Sequence, residues 1–272
     1  MKAARVGFSG SGSLAEIHAG AACAILDSGY DIVETTGTSG GSIIAIAVAL
    51  GMRQAALRAL ALDTDMSGLL DLSAIHDAEL ALHSYIDNGN KLYAWLDNVF
   101  GRTKLGDAKI PVQVVSTDVA MRKPYVFDSQ STPTVACALA VRASCAVPVA
   151  YAPVHLADPK TGRIMELNDG GLMDNMPGDL LASDDTRFGI DVVDNAGPSD
   201  ISTRLGKLKA YLACMLGSSE DAHIASAKET GVNVIYVPTT EDFLNFNLSS
   251  ASRVALFNAG YAKTLETIKN LN

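Results

Sequence analysis

The chain lacks several things, and each absence removes a class of function. It has no CxxC pair and no His–Cys spacing suited to a metal ion; its four cysteines stand apart at 23, 137, 145 and 214. Three of them sit in helix-like apolar stretches and read as reduced core residues, not as a disulfide framework. The longest unbroken apolar run, Ile43 to Leu50, falls far short of the roughly 20 residues that a membrane-crossing helix needs. The opening MKAARVGFSGSGSLAEIH has glycines and a glutamate where a secretory leader carries a continuous apolar core, so no Sec signal is expected. Basic clusters are absent, and a net charge of −9 argues against nucleic acid as a partner. The same charge gives no general attraction to an anionic membrane, so any lipid contact has to be apolar or local. Repeats and Pro/Ser-rich linkers are missing as well. The expectation is a single domain spanning residues 1–272, in a soluble protein of a reducing compartment, cytoplasmic or peripheral to a membrane.

What the chain does have is apolar mass. Hydrophobic residues make up 48% of its 272 positions and charged ones 19%, below the usual level of roughly a quarter. Such a chain is globular and long enough to bury a full core. Arg5 to Ser9 predicts a buried strand, Ala15 to Asp27 a helix stopped by Gly29, Asp31 to Thr35 a second strand, and Ser42 to Leu50 an apolar helix. Strand, helix, strand, helix in this space predicts an α/β fold, a parallel sheet with helices packed on it. Arg53 to Gly101 reads as helical, broken near Asp63–Ser67 and Asn88–Asn90. Further strands are expected at Pro111–Thr117, Tyr125–Phe127, Ile164–Leu167, Phe188–Val193 and Val232–Val237. Helices are expected at Val135–Cys145, Thr203–Lys228 and Ser249–Lys269.

Two glycine-rich turns carry the chemistry. In the first, Gly10-x-Gly12-x-x-Ala15 follows a strand and opens a helix, which satisfies the dinucleotide fingerprint; Glu34 stands where a ribose-binding acid would. In the second, Gly37-Thr38-Ser39-Gly40-Gly41 matches the G-x-S-x-G of a nucleophile elbow, again between a strand and a helix. Its glycines permit a turn tight enough to lift the Ser39 hydroxyl clear of the backbone. The following helix then aims its N–H groups and positive end at charge forming beside it. A plain Gly-Ser turn is the competing reading of this motif alone. With Ser39 as nucleophile, the N–H groups of Gly10, Ser11 and Gly12, together with that of Gly40, could form an oxyanion hole. An NAD(P)-binding oxidoreductase would use Gly10–Ala15 and Glu34 but leave Ser39 unexplained.

A serine nucleophile needs a base. The histidines are His18, His76, His83, His155 and His223, and Asp191 or Asp194 with His223 formally meets the Ser, Asp, His order of α/β-hydrolases. His223 falls in the helical stretch SSEDAHIASAK, however, and that fold places its elbow later in the chain, so this triad is disfavoured. The other candidate is Asp169 in NDGGLMDNMP, for which an ordinary Asp-Gly turn is the bland alternative. The pattern alone leaves both open.

In combination these segments resemble the patatin-like phospholipases. FSGSGSLAEIHAG resembles that family's glycine-rich oxyanion segment, with its His-x-Gly kept as His18 and Gly20; GTSGGS resembles its elbow and NDGGLMDNMP its Asp-Gly-Gly segment. VVSTDVAMRKPYVFDS, VRASCAVPVAYAPV and FNLSSASRVALFNAGYAKTLE follow in the family's order. The resemblance implies Ser39 as nucleophile and Asp169 as base, at the carboxyl edge of a mainly parallel sheet in a three-layer α/β/α sandwich. Gly37 and Gly41 belong to the elbow, and Gly170 and Gly171 to the aspartate's turn. It implies no metal and no organic cofactor. The substrate implied is an acyl ester of a phospholipid or lysophospholipid, with peripheral membrane contact and no named protein activator.

One departure stands out. Where the family continues Gly-Gly-Gly-x-Arg/Lys-Gly, this chain has Gly10-Ser11-Gly12-Ser13-Leu14-Ala15. Leu14 removes a cation that could meet a lipid phosphate, which opens an alternative: a catalytically weak or activator-dependent acyl-binding protein. Arg142 could compensate, although it also reads as a packing and helix-capping arginine. Leu80–Phe100, with Tyr93 and Trp95, and the cluster Phe243, Leu244, Phe246 could cover the cleft or meet an interface. The ordinary reading of the first is a core-facing amphipathic helix.

Overall fold

The computed structural model describes residues 1–64, 66–70, 85–159, 161–195, 197–198, 201–217 and 220–271. Of the stretch expected to be helical between the breaks at Asp63–Ser67 and Asn88–Asn90, residues 71–84, with His76, His83 and the start of the Leu80–Phe100 segment, lie outside the described residues. In chain order the elements are β1 (Lys2–Phe8), α1 (Ala15–Asp27), β2 (Tyr30–Thr38), α2 (Ser39–Ala49), α3 (Gln54–Asp63), β3 (Tyr85–Asp87) and α4 (Asn90–Phe100). Then come β4 (Val112–Asp118), β5 (Lys123–Asp128), α5 (Cys137–Ser144), β6 (Val149–Tyr151), β7 (Val154–Ala157) and β8 (Ile164–Asp169). The chain ends with β9 (Thr186–Asp194), α6 (Arg204–Gly217), α7 (Glu220–Glu229), β10 (Asn233–Thr239) and α8 (Ser250–Leu271).

The central sheet runs β10-β9-β1-β2-β4-β8-β7, with β5 added on β4. From β10 to β4 every pairing is parallel, while β5 and β8 pair antiparallel with β4 and β7 antiparallel with β8. β3 and β6 form a separate parallel pair, in segments whose sequence gave no strand signal. Val6, Gly7 and Phe8 are buried in succession, so both faces of β1 are covered toward its carboxyl end. Every residue of α2 is buried, which is why its sequence shows no polar face.

Helices α1 and α8 pack closely through two glycines. A Cβ on Gly20 would overlap the Phe257 carbonyl oxygen, and one on Gly260 would overlap that of Ile17. Gly20 of the His-x-Gly pair is thus a packing glycine. His18 is fully buried, stacks edge-on against Phe8 at 5.4 Å, and is held neutral by burial, which lowers its pKa to about 3. α4 buries Leu92, Leu96 and Phe100, the core-facing arrangement.

Candidate active site

Strand β4 explains how residues 130 positions apart meet. Its edge opposite β5 is shared: β2 pairs along Val112–Val115, and β8 takes over at Ser116–Asp118 in the opposite direction. Thr38, the last residue of β2, is opposite Val115, and Asp169, the last of β8, is opposite Ser116. The two strands therefore run head-on along one edge and stop at adjacent register positions. Ser39 and Asp169 leave the sheet at that junction.

Ser39 opens α2 with φ +48°, a left-handed conformation uncommon for a residue with a side chain. Its backbone N–H donates to Ser144 Oγ at 2.8 Å, and the Ser144 hydroxyl donates in turn to the Val115 carbonyl. This anchoring holds the strained turn in place. The Ser39 hydroxyl donates to Asp169 Oδ2 at 2.6 Å. The other carboxylate oxygen, Oδ1, accepts the Gly171 N–H at 2.8 Å, capping the 3-10 turn Gly170–Leu172. Asp169 is 1% exposed and Ser39 6%. Burial pushes the Asp169 carboxyl up to about 7, against the opposing pull of its hydrogen bonds from Ser39 and Gly171.

The first glycine-rich turn lies against the elbow. A Cβ on Gly40 would overlap the Gly12 carbonyl oxygen and the Ser11 hydroxyl, so glycine there is a condition of the contact. Gly12 has φ +54° whereas Ser11 does not have positive φ, so the loop keeps its course with serine at that position. The expected set of oxyanion donors needs one correction. The Gly10 N–H donates to the Asn175 carbonyl at 2.9 Å and is therefore committed to holding the loop. The N–H groups of Ser11, Gly12 and Gly40 have no acceptor among the described residues.

Ser11 and Gly12 open onto a cleft of about 390 Å³, within the roughly 300–1,000 Å³ typical of small-molecule sites. Ser39, Asp169 and the Gly10–Gly12 turn line it, and Val147, Val192, Leu212, Phe243 and Leu244 give it apolar walls. Phe243 and Leu244 thus belong to the cleft, while Phe246 packs on the core.

Other sequence candidates sit elsewhere. Glu34 pairs with Arg5 at 2.5 Å and accepts the Ala182 N–H, which removes it from any ribose-binding role. His223 faces Asp174 at 3.2 Å, and Asp191 neighbours Glu220, so the histidine triad is not assembled. Asp174, Asp179 and His223 bring three potential metal-ligand atoms within 4.8 Å of one another, two of them the Asp174–His223 contact itself. Leu14 is fully buried. Arg142 donates to the carbonyls of Asn88, Gly89 and Ala152, the packing role, and does not line the cleft. Sequence reasoning missed Ser144 and Asn175, both polar residues inside segments already singled out. Their serine and asparagine identities carried no distinctive signal.

The model of the patatin family, patatin-like phospholipase, matches residues 7–182. The chain belongs to this family. That membership supports a lipid acyl hydrolase, and the patatin-like span contains both turns, Ser39 and Asp169. Beyond it, β9 and β10 complete the same sheet, and Asp194, Lys209, Leu212, Glu220 and residues 240–244 line the rest of the cleft. The chain is 25% identical to the uncharacterized protein YqhO of Bacillus subtilis (strain 168), over 94% of this chain and 95% of that one. Its fold is similar to that of VipD from Legionella pneumophila, with TM-score 0.62 and 16% identity over 99% of this chain and 67% of VipD. It is also similar to ExoU in the ExoU–SpcU complex from Pseudomonas aeruginosa, with TM-score 0.53 and 16% identity. There it covers 99% of this chain and 51% of the other, so the chain spans about half the length of that effector. Among the described residues, no helix is long and apolar enough to cross a membrane.

Proposed function

We propose that the protein hydrolyses fatty acyl esters of phospholipids or lysophospholipids through an acyl-Ser39 intermediate, with Asp169 as general base. The observation that carries this reading is the 2.6 Å hydrogen bond from the Ser39 hydroxyl to a buried carboxylate at the cleft. An ordinary aspartate, near 3.9, is too weak a base to help a serine hydroxyl. A carboxyl raised to about 7 by burial is matched to neutral pH. Ser39 Oγ attacks the ester carbonyl carbon as its proton passes to Asp169. The N–H groups of Ser11, Gly12 and Gly40 receive the developing oxyanion, each such donor contributing roughly 3–4 kcal/mol. Collapse breaks the ester C–O bond, and the departing alkoxide takes the proton from Asp169. Asp169 then deprotonates a water that attacks the acyl carbon, releasing fatty acid and restoring the serine.

The test is labelling with a fluorophosphonate, located by mass spectrometry, alongside turnover of a lysophospholipid. Adduct on Ser39 is expected in the wild type and a large loss in Asp169→Asn. Ser39→Ala protein that still turns over lysophospholipid would overturn the proposal.

A further inference from the structure

The cleft is acidic. Besides Asp169, its described lining carries the carboxylates of Asp194, Glu220, Glu241 and Asp242, against one cation, Lys209. Lys209 is already neutralised, because its ammonium pairs with Asp242. Neither Leu14 nor Arg142 supplies another positive charge to the cleft. Leu14 is buried in the core, and the Arg142 guanidinium is committed to backbone carbonyls away from the cleft. Glu220 accepts a hydrogen bond from Asn175 Nδ2 at 2.8 Å and neighbours the buried Asp191. Burial and the adjacent Glu220 push Asp191 up to about 8.

We propose that the cleft selects acyl esters with no net negative charge, uncharged glycerides and zwitterionic lipids, over anionic phospholipids, and that Glu241 and Asp242 are the specificity determinants. The proposal rests on the hydrolase reading above. A net-anionic head group entering here meets carboxylates and, among the described lining residues, no unpaired cation. In a half-enclosed cleft with apolar walls such repulsion is less screened than in open water. This is discrimination by an unfavourable contact with the wrong ligand. A zwitterionic head group escapes it by turning its ammonium toward the acids, and an uncharged one carries nothing to repel.

The test uses the full chain and three substrates with one acyl chain: a monoacylglycerol, a lysophosphatidylcholine and a lysophosphatidylglycerol, each diluted into uncharged detergent micelles. The kcat/KM for the anionic lipid should be at least about tenfold below the other two at low salt, a gap that narrows at high salt as the charges are screened. Asp242→Asn frees Lys209 and should raise the anionic-to-uncharged ratio several-fold. Glu241→Gln, which leaves the Lys209 pair intact, should raise it by a smaller factor and serves should the first variant not fold. Equal turnover of the three lipids, preference for the anionic one, or an unchanged ratio in a folded variant overturns the selectivity while leaving the hydrolase reading in place. Turnover of none of them, with Ser39 unlabelled by fluorophosphonate, overturns both.

Discussion

Replacing Asp169 by Asn tests the buried carboxyl from the side of stability. The folded protein holds this group at about 7 against an ordinary value of 3.8. Between those values the folded state binds a proton that the unfolded chain has released, so ionisation of Asp169 opposes folding. The effect is absent below about pH 4, grows as pH rises, and is complete above about pH 7. At about 1.4 kcal/mol per tenfold in proton affinity, it amounts to about 4 kcal/mol. Asn carries no charge, can still accept the Gly171 N–H, and loses the stronger hydrogen bond from Ser39, at a cost of about 1–2 kcal/mol. Asp169→Asn should therefore be slightly less stable than wild type at pH 4 and about 2 kcal/mol more stable at pH 8, as measured by urea unfolding. Comparing the two proteins cancels the other titrating groups. Under the proposed mechanism the same ionisation governs turnover: kcat/KM of the wild type should rise with pH and reach half its plateau near pH 7. A stability difference that does not change with pH would refute the assignment of a raised pKa to Asp169.

The other predictions concern the frame around the dyad. Ser39→Gly and Ser39→Ala should both be inactive, but the glycine variant should be more stable by about 1 kcal/mol in thermal melts, because only glycine takes φ +48° without penalty. Ser144→Ala leaves the Ser39 N–H and the Val115 carbonyl without their partner, and should cost about 1–3 kcal/mol in urea unfolding together with a fall in kcat. Gly40→Ala drives a methyl into the Gly12 carbonyl and should abolish fluorophosphonate labelling, with circular dichroism reporting whether the sheet survives.

The parallel half of the sheet was legible because each strand is a short apolar run closed by glycine and each helix has the right length and period. Helix α1 was bounded correctly by Gly29, and Ser39 by its flanking glycines. Strands β3, β6 and β7 escaped, since three or four residues show no period, and β3 lay inside a stretch patterned as helix. In the site, the two side chains that meet, Ser39 and Asp169, were among the residues singled out, whereas Ser144, whose hydroxyl anchors the Ser39 turn, was not. Gly10 looked equivalent to Gly12, yet its N–H faces the Asn175 carbonyl, a contact from 165 residues along the chain. Asn175 gave no sign of this, because a carbonyl acceptor belongs to every residue. The acidity of the cleft was likewise hidden: Asp194, Lys209, Glu220, Glu241 and Asp242 come together only through the packing of β9, α6, α7 and the loop after β10.

On the proposed reading, a dyad in place of a triad asks more of the scaffold. With histidine, the middle group is poised near neutral pH by its own chemistry, and a carboxylate beyond it need only orient the ring. With aspartate alone, the environment has to supply that poise, and the fold takes this carboxyl to 1% exposure with two donors among the described residues. A third or fourth donor would stabilise the anion and pull the base back toward its ordinary weakness. The head-on meeting of β2 and β8 on β4 accomplishes this. It brings Asp169 to Ser39 from within the sheet, where neighbouring backbone groups are already paired, so that few N–H groups remain to solvate the carboxylate. The same burial makes the ionised site unfavourable for folding. Its retention therefore depends on the surrounding sheet being rigid enough to hold a strained serine against an undersolvated acid.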